Sequence, residues 1–87
     1  MKIKKELIKR EIAGESFLVP LGKTVYDANG LFILSELGSF LWDRLSDAQS
    51  ADDLLRDVLA EYDVDEATAK THVSAFVGKL KEHDFFD

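Results

Sequence analysis

The sequence contains no cysteine and only one proline. Without cysteine the chain has no disulfide, no thiolate ligand for zinc and no thiol nucleophile. A single proline and an apolar content of 46% predict a folded chain rather than a disordered one. No apolar run reaches the roughly 20 residues that cross a bilayer, and the basic N-terminus is not followed by the apolar segment of a secretory signal. We therefore expect no membrane partner and a cytoplasmic location.

The chain also lacks the groups of residues that catalysis needs. His72 and His83 have no third ligand at helical spacing, so we expect no metal site. Ser16 and Ser35 have no histidine arranged beside them as in a catalytic triad, and the separated glycines do not form a phosphate-binding loop. Eighty-seven residues allow one modest core, which predicts a single domain over residues 1–87. We predict that the protein is not an enzyme and uses no cofactor.

Charge is distributed unevenly along the chain, whose net charge is −6. The first ten residues hold five basic side chains, whereas residues 43–66 hold nine carboxylates against two arginines. Binding to a phosphate backbone depends on neutralising phosphates, so this acidic body argues against a nucleic-acid partner. We interpret the basic segment as the solvated end of a strand.

The first half of the sequence predicts three strands. Residues 3–12 and 17–21 flank the turn signal Ala13-Gly14-Glu15-Ser16 and predict an antiparallel hairpin. A turn at Asn29-Gly30 leads to a third strand over residues 31–34. Four consecutive apolar residues in this third strand indicate that both of its faces are covered, one by the helices and the other by either the N-terminal strand or a partner. Because the strand runs directly into a helix, we expect it at an edge of the sheet. An edge strand exposes unpaired N–H and C=O groups and is able to accept another extended peptide.

The second half predicts three helices. The first covers about residues 36–45 with Ser35 as N-cap, the second follows Ser50 with Asp53 close to a capping box, and the third follows Asp65 with Thr68 in its third position. Apolar residues at helical spacing predict the inner face of each helix. These faces comprise Leu37, Phe40, Leu41 and Leu45 in the first helix, Leu54, Leu55, Val58, Leu59 and Tyr62 in the second, and Ala69, Val73, Phe76, Val77 and Leu80 in the third.

Aromatic residues complete the predicted core. We interpret Trp42 and Phe40 as core residues because they lie on or beside the apolar stripe of the first helix. Phe85-Phe86 is expected to fold back onto the domain. The elements together predict a small α+β domain that resembles a winged helix-turn-helix, with a three-stranded antiparallel sheet followed by three helices.

A closer resemblance extends over about residues 3–86. The segments are IKREIAGESFLVP, GLFILSELGSFLWDRL and ADDLLRDVLAEYDVDEATAKTHVSAFVGKLKEHDFF. In order and spacing they resemble the PqqD-like family, named for a small protein of pyrroloquinoline quinone biosynthesis. Its members are also called precursor-peptide recognition elements. The family commonly has asparagine where Ser35 stands and an acidic residue near His72, and these departures bear on which peptide is read.

The resemblance implies a binding function. Members of the family bind the leader of a ribosomally made precursor peptide as an added strand, antiparallel to the third strand and beside the third helix. They present it to a partner such as a radical S-adenosylmethionine enzyme, a peptidase or a cyclase. The sequence leaves open the precursor, the partner enzyme and whether the chain forms a homodimer. The implied peptide-binding residues are Gly30, Leu31, Phe32, Ile33, Leu34, Ala69, His72, Val73, Phe76 and Lys79.

Two other functions remain open alternatives. A winged-helix architecture is shared by many DNA-binding proteins, but the third helix begins with Asp65-Glu66 and the second is acidic along its outer side. Those charges have the wrong sign for entry into a DNA groove. The other alternative is a regulator that binds a folded protein through residues 31–34.

Overall fold

The computed structural model of the protein describes residues 1–4, 6–21 and 32–86. These residues form three strands and then three helices, which confirms the predicted α+β class and order. The strands pair antiparallel in the order β1-β2-β3, so β3 lies at one edge of the described sheet, as predicted. The predicted turn at Asn29-Gly30 and the predicted strand start at Leu31 lie outside the described residues. The elements are β1 (Leu7–Ile12), β2 (Glu15–Pro20), β3 (Phe32–Leu34), α1 (Glu36–Leu45), α2 (Ala51–Glu61) and α3 (Glu66–Glu82).

The hairpin of β1 and β2 closes through a two-residue turn. Ile12 lies opposite Glu15, and the turn residues Ala13 and Gly14 have φ values of 53° and 82°. Two consecutive positive φ values are typical of a type I′ turn, whose twist matches that of the flanking strands. The predicted hairpin is confirmed, but its turn is shorter than predicted, because Glu15 and Ser16 pair with β1 as the first residues of β2.

The N-terminal segment differs from the prediction. We predicted one strand over residues 3–12, but β1 begins at Leu7 and Ile3 forms an isolated antiparallel bridge with Phe86. Lys4 donates its backbone N–H to the Phe85 carbonyl at 2.9 Å, which extends this pairing. The Phe85 side chain is only 1% exposed, so the predicted return of the C-terminus to the domain is confirmed.

The register of the sheet decides which side chains meet the helices. Lys9 lies opposite Leu18, and Leu18 is 1% exposed, so this row faces the core. Phe17 lies opposite Ile33 on the other face, because side chains alternate along a strand. Ile33 is 68% exposed. Ile33 therefore lies on the face for which we predicted a cover by the N-terminal strand or by a partner, and among the described residues the N-terminal strand does not enclose it.

Two of the three predicted N-caps are confirmed. The Ser35 hydroxyl accepts the Gly38 N–H at 3.0 Å. The Asp65 carboxylate accepts the Thr68 N–H at 3.0 Å and its hydroxyl at 2.7 Å. The hydrogen bond from the Thr68 hydroxyl, followed by that from its backbone, lowers the pKa of Asp65 below its usual value because both stabilise the carboxylate.

The third predicted cap is confirmed in its position but not in its hydrogen bond. Ser50 occupies the N-cap position of α2 but makes no side-chain capping bond. The Asp53 carboxylate instead accepts the N–H of Gln49 at 2.8 Å and pairs with Arg56 one turn later. The Asp53 carboxylate inside α2, rather than the Ser50 hydroxyl before it, therefore accepts a backbone N–H at the start of this helix.

The core lies between the inner face of the sheet and the three helices. Phe40 was predicted to be a core residue, but its ring is only half-buried at the junction of α1 and α2. It meets Tyr62 edge-on at 5.3 Å, and the Arg44 guanidinium lies 5.2 Å from its centroid. Trp42 is half-buried and meets Phe85 edge-on at 6.4 Å, so it packs against the core without being enclosed. The buried residues are Leu18, Leu41, Leu45, Ala48, Leu54, Val58, Ala69, Val73, Val77, Leu80 and Phe85.

Leu59 also departs from the predicted inner face of α2, because 37% of it is exposed.

In the described ranges no helix is long and apolar enough to span a bilayer.

Candidate functional site

A groove lies between the exposed flank of α3 and the edge of β3 that is unpaired among the described residues. Its first pocket has a volume of about 310 Å³ and is bounded on a third side by the start of α1. The walls are mainly apolar. They are formed by Ile33, Leu34, Ser35, Leu37, Gly38, Leu41, His72, Ala75, Phe76 and Lys79.

A second pocket continues the groove toward the C-terminal end of α3. Its volume is about 270 Å³. Four residues line both pockets, namely Ile33 and Leu34 of β3 and Phe76 and Lys79 of α3, so the two pockets adjoin. The β3–α3 groove is defined here as these two pockets together. The remaining walls of the second pocket are Leu18, Leu80, His83 and Phe85.

The direct junction of β3 with α1 builds the first pocket. Ser35 ends the strand and caps the helix at the same time, so the chain turns without a linker. Gly38 then lies at the floor, and a Cβ on it would be 3.2 Å from the Ser35 Oγ and 3.7 Å from Leu34 Cδ2. The distance to the Ser35 Oγ is tight, so a side chain at Gly38 would press against the hydroxyl that caps α1.

The edge of β3 gives the groove its backbone chemistry. β3 pairs with β2 through residues 32–34, and its other side forms the outer edge of the described sheet. Such an edge presents backbone donors and acceptors that an incoming strand is able to satisfy. A strand edge beside apolar pockets is an arrangement suited to an extended peptide, because it offers both hydrogen bonds and side-chain sites.

The structure brings five of the ten predicted site residues together around the groove. Ile33, Leu34, His72, Phe76 and Lys79 all line it. They come from two elements that are distant in sequence, and helical spacing places the last three on one flank of α3.

The other five predicted residues do not line the groove as described. Ala69 and Val73 are 0% and 3% exposed and belong to the core, because they lie on the inner face of α3. They present no surface to a ligand in this conformation. Phe32 contributes its backbone to the pairing with Leu18. Gly30 and Leu31 lie outside the described residues.

Several lining residues were missing from the predicted site. Ala75 is exposed and lies three residues after His72, so helical periodicity was a usable signal for it. Leu37 and Gly38 come from α1, and only the three-dimensional junction with β3 brings them to the groove. His83 and Phe85 likewise reach the second pocket because the chain turns back after α3.

A larger and more open depression of about 990 Å³ lies elsewhere, against the N-terminal segment. It contains none of the predicted site residues. Its walls include Trp42 and Leu7 but also the polar side chains of Asp43, Asp47 and Gln49. Size alone does not make it the better site, because the β3–α3 groove combines an open strand edge with apolar pockets.

Known structures share this architecture. One is TbiB1 in complex with the TbiA(beta) leader peptide, which is 25% identical, has a TM-score of 0.74, and covers 100% of this chain and 95% of that chain. Another is a lasso peptide synthetase B1 complexed with the leader peptide, which is 21% identical with a TM-score of 0.72 and covers 97% and 93% of the two chains. No curated protein has significant similarity to the sequence.

The family comparison is more specific than the structural one. The family model of coenzyme PQQ synthesis protein D (PqqD) matches residues 15–85. The match includes β2, β3 and all three described helices, and therefore both walls of the groove. It confirms the resemblance found in the sequence: the chain belongs to the PqqD family.

Proposed function

We propose that this protein is a non-catalytic peptide-binding protein that recognises the leader of a ribosomally made precursor peptide. The leader adds an antiparallel strand to the open edge of β3 and places side chains in the two pockets beside α3. The observation that carries the proposal is the open strand edge lying directly against an apolar helix flank. The proposed contacts in the groove are Ile33, Leu34, His72, Phe76 and Lys79, and the backbone contacts extend over residues 30–34.

The two parts of the groove have different roles in this proposal. Backbone hydrogen bonds along β3 provide affinity that tolerates many sequences. The pockets on either side of Phe76 fix the register, because only one alignment places apolar side chains in both. Ala69 and Val73 hold α3 against the core from below and make no contact with the peptide.

The neighbours support the same ligand class, since both were solved as complexes with leader peptides. In our proposal the bound leader holds the rest of the precursor close to a modifying enzyme, such as a radical S-adenosylmethionine enzyme, a peptidase or a cyclase. Tethering of this kind gives effective concentrations in the millimolar range for short flexible linkers, without any chemistry by the tether. The cytoplasm is the compartment in which such a complex forms, because ribosomes release precursors there.

Duplex DNA is a weaker candidate ligand. The chain carries a net charge of −6, and α3 begins with the exposed Asp65 and Glu66. A helix entering the major groove with carboxylates at its start meets repulsion from the phosphates.

A bulky residue in the groove tests the proposal. Ala75 is exposed and lines the first pocket, so Ala75→Trp should fill the pocket while changing stability by no more than about 0.5 kcal/mol. The probe is a synthetic leader peptide from a precursor gene adjacent to the gene of this chain. We expect its affinity, measured by calorimetry, to fall by at least about tenfold, or 1.4 kcal/mol.

Ala67→Trp is the matched control, because Ala67 is exposed on the same helix but does not line the groove. It should bind the leader as the unmodified protein does. Equal loss of binding in both variants, or equal retention, would show that the peptide binds elsewhere. Binding of duplex DNA in place of the leader would favour the alternative function.

A further inference from the structure

Among the described residues, the ionisable side chains that line the groove are one lysine and two histidines. The residues lining its two pockets include His72, Lys79 and His83 but no aspartate or glutamate. The chain as a whole carries 17 carboxylates against 11 lysines and arginines. The groove therefore carries the positive charge of Lys79 on a protein whose net charge is negative.

The basic side chains form one row along α3. Positions 72, 79 and 83 differ by seven and four residues, and at about 100° per residue they fall within roughly 20° of one line along the helix. The row spans about 16 Å at a rise of about 1.5 Å per residue. An extended peptide covers that length with about five residues at about 3.3 Å each.

Lys79 occupies the centre of this row. It lines both pockets, and it has no carboxylate partner in the part of the chain that the structure describes. Other basic side chains are engaged in ion pairs, including Lys4 with Asp84 and Lys9 with Asp43.

The apolar walls of the groove would strengthen a contact between Lys79 and an opposite charge. Leu34 and Phe76 flank Lys79 in both pockets, and an occupying peptide would cover them and exclude water. A charge-assisted hydrogen bond is stronger than a neutral one and gains further where the local dielectric is low. The aliphatic stem of the lysine is able to lie along the apolar wall while its ammonium group reaches the peptide.

We propose that the β3–α3 groove selects leader peptides whose bound segment, about five residues long, carries a carboxylate side chain that pairs with Lys79 between two apolar anchors. This inference rests on the proposed function and specifies the chemistry of its ligand.

The proposed preference of the groove for acidic peptides is opposite to the preference expected from the net charge of the protein. At long range a protein of net charge −6 attracts basic peptides and repels acidic ones. Enrichment of acidic peptides therefore cannot arise from the general field of the protein and has to come from a local basic site.

Selection from a random library of nine-residue displayed peptides tests the inference. The targets are the full chain, its Lys79→Glu variant and the control Lys81→Glu, in which an exposed lysine of α3 outside the groove undergoes the same change of charge. We expect the full chain and the control to enrich peptides with an excess of Asp and Glu. Lys79→Glu should lose or reverse that excess. In an enriched peptide, replacing the central Glu by Gln should weaken binding by about tenfold.

The outcomes separate the inference from the function on which it rests. Neutral or basic enriched peptides that shift the amide resonances of residues 32–35 would overturn the carboxylate preference and leave strand addition intact. An equal effect of both substitutions would also overturn it. A failure to enrich any peptide, or amide shifts confined to residues away from β3 and α3, would overturn both proposals.

Discussion

Replacing Ser35 by alanine isolates the hydrogen bond that joins β3 to α1. The hydroxyl accepts the Gly38 N–H at 3.0 Å, and Gly38 is buried, so water replaces the lost acceptor poorly. Loss of an N-cap costs about 0.5–2 kcal/mol. Because the donor is buried, we expect Ser35→Ala to fall in the upper half of that range. For a domain of this size about 1 kcal/mol corresponds to a fall in Tm of about 4–8 °C.

Ser50→Ala is the matched control, because Ser50 stands at the same position of α2 but makes no capping bond with its side chain. We expect it to change the free energy of unfolding by no more than about 0.5 kcal/mol. Urea denaturation measures both variants, and equal m-values would show that the same surface is exposed on unfolding. Ser35→Asp should recover most of the lost stability, since aspartate also caps helices.

The result that refutes this reasoning is equal destabilisation by the two alanine substitutions. Equal costs would mean that Ser50 caps α2 in solution or that Ser35 contributes through something other than its hydroxyl. A full loss in Ser35→Asp would point to the second explanation.

Two further predictions concern the core and the start of α3. Leu54→Ala should lower the free energy of unfolding by about 2–5 kcal/mol, because Leu54 is 0% exposed. Leu59→Ala on the same helix should lower it by well under half as much, because Leu59 is 37% exposed. The denaturant midpoints of the two variants test this difference. The lowered pKa of Asp65 means that its contribution to stability is fully present above the usual aspartate value of about 3.9 and is lost as the pH falls through the lower folded value. Asp65→Asn should therefore reduce the loss of stability between neutral and acidic pH, and an unchanged pH profile in this variant would contradict the assignment.

Local patterns in the sequence predicted most of the fold. The boundaries of α1 follow from its apolar stripe and from Ser35, a cap whose bond the structure contains. The hairpin follows from Ala13-Gly14, since few sequences adopt two positive φ values in succession. These features depend on neighbouring residues, so they are readable without the tertiary structure.

Other features depend on residues far apart in the chain. Ile3 pairs with Phe86 and is not part of β1, which begins at Leu7. No local pattern indicates a pairing partner more than eighty residues away in the sequence. Ser50 and Asp53 both have the composition of a cap, and only the geometry decides that Asp53 makes the bond.

The residues of the candidate site likewise divide into those that the sequence predicts and those that depend on the tertiary structure. His72, Phe76 and Lys79 were predictable because the family resemblance and helical spacing place them on one flank of α3. Gly38 was not, because its role comes from the close approach of α1 and β3, and Val73 was assigned to the groove although the helix turns it inward.

The central claim is that a leader peptide becomes a fourth strand beside β3. The most direct measurement is of nuclear Overhauser contacts between a bound, isotopically distinguished leader peptide and the backbone of residues 32–34. We predict cross-strand contacts between the peptide and all three residues, in an antiparallel pattern, together with contacts from peptide side chains to Phe76. A peptide that binds with measurable affinity but whose contacts lie only on the basic N-terminal residues or on the acidic face of α2 would contradict the account.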